Sequence, residues 1–364
     1  MTLTVMQVLH QGGGAGSVSS TLHLSLGLLR AKIHVRFVCP PNSEVEALAR
    51  DGGLEVLPLM LEAGERRANA AALAELLASH PVDLVNSQSA RDRQALVRLS
   101  LRGRLGVPLV LTRRQIPRTF FAENWLASLA ADRVVAVSRA VAGALRRKGT
   151  PAHKLIVIPN GLIAARVDPA PSSAAVERWR EAIGWEAGRR TVGIVARPKD
   201  QKIVLRALEL VGPPVRLVLA GVDPSGPLGE LARRVRPPHA AVCIPFTPDV
   251  RPLYDLLAIV LLPSRIEGLS QSLLEAMALG KPVIASAAAG NLDLVRHETD
   301  GLLVPPLDPA AWAAAIERLL LDPALAARLA ASARETARDT FALERTVERT
   351  AALYRLLVNR ESRV

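Results

Sequence analysis

Short apolar runs recur along the chain, each followed by a turn and then by apolar residues at helical spacing. Leu3–His10 is the first such run. It ends in Gly12, Gly13 and Gly14, and Leu22, Leu26 and Leu29 then recur at helical intervals. Val35–Cys39 and Leu54–Leu57 read as strands, Ala68–Ser79 as a helix, and Val82–Val85, Leu109–Thr112 and Val134–Val137 as buried strands. Ser138 is placed to cap a helix over about 139–148, and Leu155–Ile158 is the last strand of this half. Strands that are apolar throughout, alternating with amphipathic helices, belong in a parallel sheet covered on both faces.

The pattern then restarts. Arg166–Ser173, rich in proline and serine, reads as a linker. Beyond it the strands are Thr191–Val195, Val215–Ala220, Val242–Pro245, Ile259–Leu262, Pro282–Ala285 and Leu302–Val304. Helices are predicted over Ile203–Val211, Ser270–Leu279 and a tail of 310–320, 324–340 and 343–358. A chain of 364 residues exceeds what one core usually supports. The predicted architecture is therefore α/β, with two doubly wound domains. Open parallel sheets bind ligands beyond the carboxyl ends of their strands, so two such domains facing each other would make a cleft.

Composition supports packed cores: hydrophobic residues are 49% of the chain, with mean hydropathy +0.22. The longest apolar candidate, Leu256–Pro263, is strand-sized and far short of a bilayer span. The first residues lack a basic segment before the apolar run, which predicts a cytoplasmic protein. Cys39 and Cys243 lie in strand-like runs far apart and read as buried free thiols. The net charge of +12 is uneven. Residues 1–165 hold 20 basic against 11 acidic side chains, and from Arg91 to Arg118 eight arginines face one acid, Asp92. Such a face suits an anionic partner (nucleic acid, acidic lipid or phosphorylated substrate) or is a solvated, arginine-biased surface. Aromatics at 3% and the lack of any zinc or RNA-binding motif weigh against nucleic acid.

Candidate chemistry concentrates in Leu261–Glu275, LLPSRIEGLSQSLLE. A buried strand ends at Pro263, Glu267 and Gly268 form a turn, and a helix starts near Ser270. Amides at a helix start are unpaired donors, so Gly268, Leu269 and Ser270 could hold a diphosphate. Gly268 has no Cβ to bar close approach. Glu275, one to two turns along, could take the vicinal hydroxyls of a ribose, and Glu267 those of a sugar. Two solvated glutamates on a capped helix remain the plain alternative. Gly14 and Gly16 follow the first strand, but Gly12-x-Gly14-x-x-Ser17 is not a full dinucleotide fingerprint and by itself reads weakly.

The Glu267-x7-Glu275 segment resembles the signature of the family-4 retaining glycosyltransferases, which have the GT-B fold. Its neighbours agree in order and spacing: Val192–Lys202, Val137–Ser138, Ile158–Gly161, Pro263–Ser264, Glu275–Ala276, Gly280–Ile284 and Asp300–Val304. The resemblance spans nearly the whole chain and is strongest over 134–305. It implies a GT-B fold of two Rossmann-like domains facing across a cleft. Residues 1–165 would bind the acceptor and 166–342 the nucleotide-sugar donor, with 343–364 packing back on the first domain. It implies that Arg197 and Lys202 join Glu267 as catalytic groups, stabilising the departing nucleoside diphosphate. Gly14 and Gly16 would face the donor phosphate. No cofactor or metal is expected; the partners are a nucleotide-sugar and a glycan or lipid-linked, lipopolysaccharide-like acceptor. The basic N-terminal half would suit peripheral binding at an anionic membrane surface.

One position departs from the family. Many relatives carry a histidine in a segment resembling V-N-x-H-S; here Val85–Ser89 places Gln88 there, and glutamine takes no proton at pH 7. Acceptor-side candidates are therefore His10, Gln88, Arg91 and Arg113, with Ser89 and Asp92 directly after Gln88. For His10 a packed or solvated histidine is an equal reading. The rival readings are a sugar-nucleotide epimerase or phosphorylase on the same architecture, and a basic nucleic-acid-binding protein.

Overall fold

In the computed structural model, which describes residues 2–13 and 16–361, the apolar runs pair as two parallel sheets. The chain divides into two units, Met1–Gly161 with Ala342–Val364, and Leu162–Phe341.

Strands and helices alternate through the first unit. They are β1 (Thr4–Val8), α1 (Gly16–Arg30), β2 (His34–Cys39), α2 (Glu44–Asp51), β3 (Glu55–Pro58), α3 (Arg66–Ser79), β4 (Leu84–Ser87), α4 (Ala90–Ser100), β5 (Leu109–Arg113), α5 (Phe121–Ala130), β6 (Arg133–Ala136), α6 (Arg139–Arg147) and β7 (Leu155–Val157). The sheet runs β3-β2-β1-β4-β5-β6-β7, so the order reverses between β1 and β4. Strand β4 starts two residues later than its apolar pattern predicts. Its ladder with β1 pairs Val5 with Leu84 and Val8 with Ser87, which carries polar Asn86 and Ser87 into the buried strand. Both are satisfied there: Asn86 bonds Tyr354 and Thr112, and Ser87 donates to Asp92.

The second unit holds α7 (Ser173–Ile183), β8 (Arg190–Val195), α8 (Lys202–Leu208), β9 (Val215–Ala220), α9 (Pro227–Arg233), β10 (Ala240–Ile244), α10 (Arg251–Leu256), β11 (Ile259–Leu262), α11 (Gln271–Ala278), β12 (Val283–Ser286), α12 (Asn291–Leu294), β13 (Leu302–Val304), α13 (Pro309–Leu321) and α14 (Pro323–Glu335). The order β10-β9-β8-β11-β12-β13 reverses between β8 and β11. Of the stretch read as a linker, Ser173 already belongs to α7: the Ser172 hydroxyl accepts from the Ala175 amide and caps the helix. The helix predicted over 324–340 is α14 followed by a π-helical turn at Thr336–Thr340.

The last helix, α15 (Leu343–Glu361), belongs to the first unit. Leu343, Val347, Tyr354 and Leu357 join its core. The Tyr354 hydroxyl accepts from Gln7 Nε2 at 3.0 Å and Asn86 Nδ2 at 2.5 Å, fastening the helix under β1 and β4. Cys39 and Cys243 are free and buried. Among the described residues no helix is long and apolar enough to cross a membrane.

Candidate functional site

In the second unit the reversal point lies between β8 and β11, and the loops beyond both strands carry the charged residues. This is where an open α/β sheet receives a ligand. The loop after β8 is held from within by Gln201, 1% exposed, whose side chain accepts from the Lys199 amide and donates to the Arg197 carbonyl at 2.7 Å. It is held to the loop after β11 by two ion pairs. Arg265 donates to Asp200 at 3.2 Å through its side chain and 3.0 Å through its amide, and Lys199 Nζ contacts Glu267 Oε1. Lys199 is thus the cation at Glu267. Arg197 is exposed at the strand end, and Lys202 opens α8 with its side chain exposed.

The turn before α11 is braced from behind. The Gly290 amide donates to the Glu267 carbonyl at 3.1 Å, and a Cβ on Gly290 would stand 1.9 Å from the Gly268 carbonyl oxygen. Gly221, after β9, is less crowded, with an added Cβ meeting the Ala196 carbonyl at 3.0 Å, but its φ of +90° favours glycine. The Asn291 amide donates to the Ser264 and Ser286 carbonyls, both at 3.1 Å. Ser270 caps α11 by accepting from the Leu273 amide at 3.3 Å. The amides of Gly268, Leu269 and Ser270 donate to no group among the described residues. Three free donors at a helix start make an anion site. Both ends of the Gln271 side-chain amide are also buried without a partner, which marks a position that water or ligand would satisfy.

Glu275 lies inside rather than on the surface. Its Oε1 accepts from Arg166 at 3.0 Å and its Oε2 from the Tyr254 hydroxyl at 3.3 Å. Burial pushes its carboxyl above the ordinary value, against the opposing pull of Arg166 and Tyr254. A ribose could take this carboxylate only by sharing it with Arg166, which also reaches the Pro248 carbonyl at 3.4 Å.

In the first unit the reversal between β1 and β4 brings His10, Ser89 and Asp92 together. Asp92, at the third position of α4, is fully buried and accepts from the Ser87 hydroxyl at 2.7 Å and the Gln88 and Ser89 amides, each at 2.8 Å. The Ser89 hydroxyl donates to it as well, and His10 Nδ1 lies 3.1 Å away. Burial alone would raise this carboxyl; the hydrogen bonds from His10, Ser89 and Ser87 outweigh it and hold the group below the ordinary carboxylate value.

The other acceptor-side candidates sit differently from expectation. Gln88 is 3% exposed and spent at both ends: its Nε2 donates to Gln7, and its Oε1 accepts from Arg114. Arg113 is buried and donates to Asn124 Oδ1 at 3.0 Å, with burial and then nearby Arg93 pulling its pKa down to about 9. Neither is offered to a ligand here, because both fill the polar network beneath the sheet edge. Arg91 is half-buried and donates to the Leu61 carbonyl at 2.9 Å. Gly16 opens α1, and Gly14 lies outside the described residues. Sequence reasoning passed over Lys199, Asp200, Arg265, Arg166, Tyr254 and Gln271, whose partners lie on other loops and helices. Among the described residues no group of three or more His, Cys, Asp or Glu could hold a metal ion.

Two family descriptions match this chain: "Glycosyl transferases group 1" over residues 189–322 and "Glycosyltransferase Family 4" over 14–166. A D-inositol 3-phosphate glycosyltransferase of Salinispora arenicola is 33% identical over 246 residues, covering 62% of this chain and 54% of the relative. The chain spans about half the length of the curated relatives it matches. Among solved structures, Anabaena Alr3699/HepE, in complex with UDP and glucose, superposes with TM-score 0.83 at 21% identity, covering 98% of this chain and 100% of that one. The lipopolysaccharide outer core galactosyltransferase WaaB gives TM-score 0.72 at 15% identity, covering 98% and 100%.

Proposed function

The chain belongs to the family-4 glycosyltransferases with a GT-B fold, and from that premise we propose that it moves a sugar from a nucleoside diphosphate to a hydroxyl of a glycan or lipid-linked acceptor, retaining the anomeric configuration. One observation carries the donor half: three unpaired amides at the capped start of α11, set at the reversal point of the sheet. In this reading they take the diphosphate, Arg197 and Lys202 add positive charge as the sugar–phosphate bond breaks, and Glu267, steered by Lys199, takes the sugar hydroxyls. Glu275 and Arg166 take the ribose. The reading calls on no metal. Donors with the same diphosphate differ in base and sugar, so the test is a product assay with UDP-, GDP- and ADP-glucose. Release of the nucleoside diphosphate with transfer of glucose supports it; an isomerised sugar on an intact nucleotide supports an epimerase and overturns it.

We also infer that the protein binds an anionic membrane surface through α5. This helix carries Phe120, Phe121, Trp125, Leu126 and Leu129 exposed, Phe120 at 85%. Its inward face carries Asn124 and Ser128 while its large apolar side chains face out, and a contiguous exposed apolar patch marks an interaction surface. The groove beside it, about 270 Å³, is lined by Val97, Leu101 and Leu126 together with Arg93, Arg98 and Arg102. Aromatic anchors beside cations match the headgroup layer of an acidic bilayer.

A further inference from the structure

We propose that Arg67, Arg98, Arg102 and Arg104 form a binding site for phosphate groups, with room and charge for two of them. All four residues belong to the first unit, and the site stands whether or not the transferase reading does.

Eight arginines lie from Arg91 to Arg118, and four of them are spent on the protein itself. Arg91 donates to the Leu61 carbonyl, Arg93 to the Ser89 carbonyl at 3.2 Å, Arg113 to Asn124 and Arg114 to Gln88. The guanidinium groups of Arg98, Arg102 and Arg104 have no hydrogen-bond or ion-pair partner among the described residues, and neither has that of Arg67 on α3. These four line one pocket of about 290 Å³, and no acid lines it with them. Buried Ala70 and Leu99 give it uncharged walls. Burial, and then the charges of Arg102 and Arg67, lower the pKa of Arg98 from its ordinary value. Like charges are thus held together with no carboxylate between them.

The backbone keeps the arginines in place. Gly103, with φ of +65°, follows α4 in the left-handed conformation. The Arg104 amide donates to the Leu99 carbonyl at 3.0 Å and the Gly103 amide to the Ser100 carbonyl at 2.9 Å, so the chain doubles back and holds Arg102 and Arg104 beside Arg98. This turn leads into β5 and lies toward the amino ends of the strands, away from the carboxyl ends where open sheets take their ligands. A helix end does favour cations, but its dipole amounts to about half an elementary charge and cannot balance four guanidinium groups. Guanidinium forks match phosphate oxygens two at a time. Two phosphate groups bring a charge of about −3 to −4, which balances four arginines, whereas a carboxylate brings one. The groove beside α5 shares Arg98 and Arg102 with this pocket but neither Arg67 nor Arg104. A soluble phosphorylated molecule and a lipid phosphate headgroup present the same chemistry to it.

The test uses the full chain and two probes at low salt. Inorganic pyrophosphate is titrated calorimetrically, and vesicles of phosphatidylcholine with phosphatidic acid, whose headgroups are phosphate monoesters, are read by co-sedimentation. Arg67→Gln combined with Arg104→Gln touches this pocket and spares the groove beside α5. Both side chains are exposed, so the melting midpoint should not change. Pyrophosphate should bind the wild-type chain and bind the double variant at least about tenfold more weakly. Gly290→Ala, aimed at the turn before α11, should leave that binding in place. Loss of pyrophosphate binding in the double variant supports a site for a soluble ligand. Loss of vesicle binding in it, with pyrophosphate ignored by the wild-type chain, supports a site for a lipid headgroup. Pyrophosphate binding that survives in the double variant and disappears in Gly290→Ala overturns the proposal, as does indifference of both probes to the two arginines.

Discussion

Lys199 Nζ forms an ion pair with Glu267 Oε1, joining the loop after β8 to the loop after β11. Neither side chain is deeply buried, and such pairs add roughly 1 kcal/mol or less to stability. Their value here is the orientation of Glu267. Lys199→Ala should leave the melting midpoint within about a degree, keep UDP affinity, and weaken UDP-glucose binding several-fold in calorimetric titration. Equal losses for UDP and UDP-glucose would place Lys199 on the diphosphate instead.

Gly290 makes a sharper prediction. A methyl group there would stand 1.9 Å from the Gly268 carbonyl oxygen, so the turn carrying the free amides has to move. Gly290→Ala should abolish measurable nucleotide binding and retain a cooperative unfolding transition. Undiminished affinity would mean that the amides of Gly268 to Ser270 do not hold the ligand.

Glu275 ties stability to pH. Its pKa is raised in the folded chain, chiefly by burial. An acid raised in this way binds its proton more tightly when folded, so the stability it lends is present at low pH and is lost as pH rises through the folded value. Glu275→Gln removes that loss. The variant should melt a few degrees above wild type at pH 8, with the gap closing as pH falls below the ordinary glutamate range, and should bind nucleotide more weakly. A variant that melts lower than wild type at pH 8 would show that the Arg166 and Tyr254 contacts outweigh the burial of the charge.

The face of α5 predicts salt-sensitive binding to vesicles containing phosphatidylglycerol and none to phosphatidylcholine. Phe120→Ser with Trp125→Ser should weaken it at all salt concentrations, whereas raising salt acts on the arginines. Co-sedimentation reads both. Failure to bind acidic vesicles at low salt removes the membrane from the account.

Much of the fold was legible because its signals are local. Apolar strands of four to six residues stand out between turns, and a capping serine such as Ser138 or Ser270 is a one-residue mark. The Glu-Gly turn before α11 was legible for the same reason, since strand end, turn and helix start are consecutive. Helix α5 was not, because Phe121, Trp125 and Leu129 are exposed while the polar Asn124 and Ser128 are buried, the reverse of the usual amphipathic pattern. The partnership of His10 with Asp92 joins residues 82 apart and depends on β1 and β4 being neighbours. A string of letters likewise does not reveal that Gln88 faces inward: its side chain donates to Gln7 and accepts from Arg114, on different elements. The pairing of Lys199 with Glu267 follows from the path of the loop after β8, which Gln201 sets from its interior.

The central claim is that the carboxyl end of the β8–β11 sheet holds a nucleoside-diphosphate sugar. Thermal unfolding in the presence of UDP-, GDP- and ADP-glucose tests it most directly, since ligand at 100 times its Kd stabilises the folded state by about 2.7 kcal/mol. The account predicts a rise of several degrees with at least one of the three, lost in Arg197→Ala and in Glu267→Ala. No shift with any of them at millimolar concentration, or an equal shift in both variants, would contradict it.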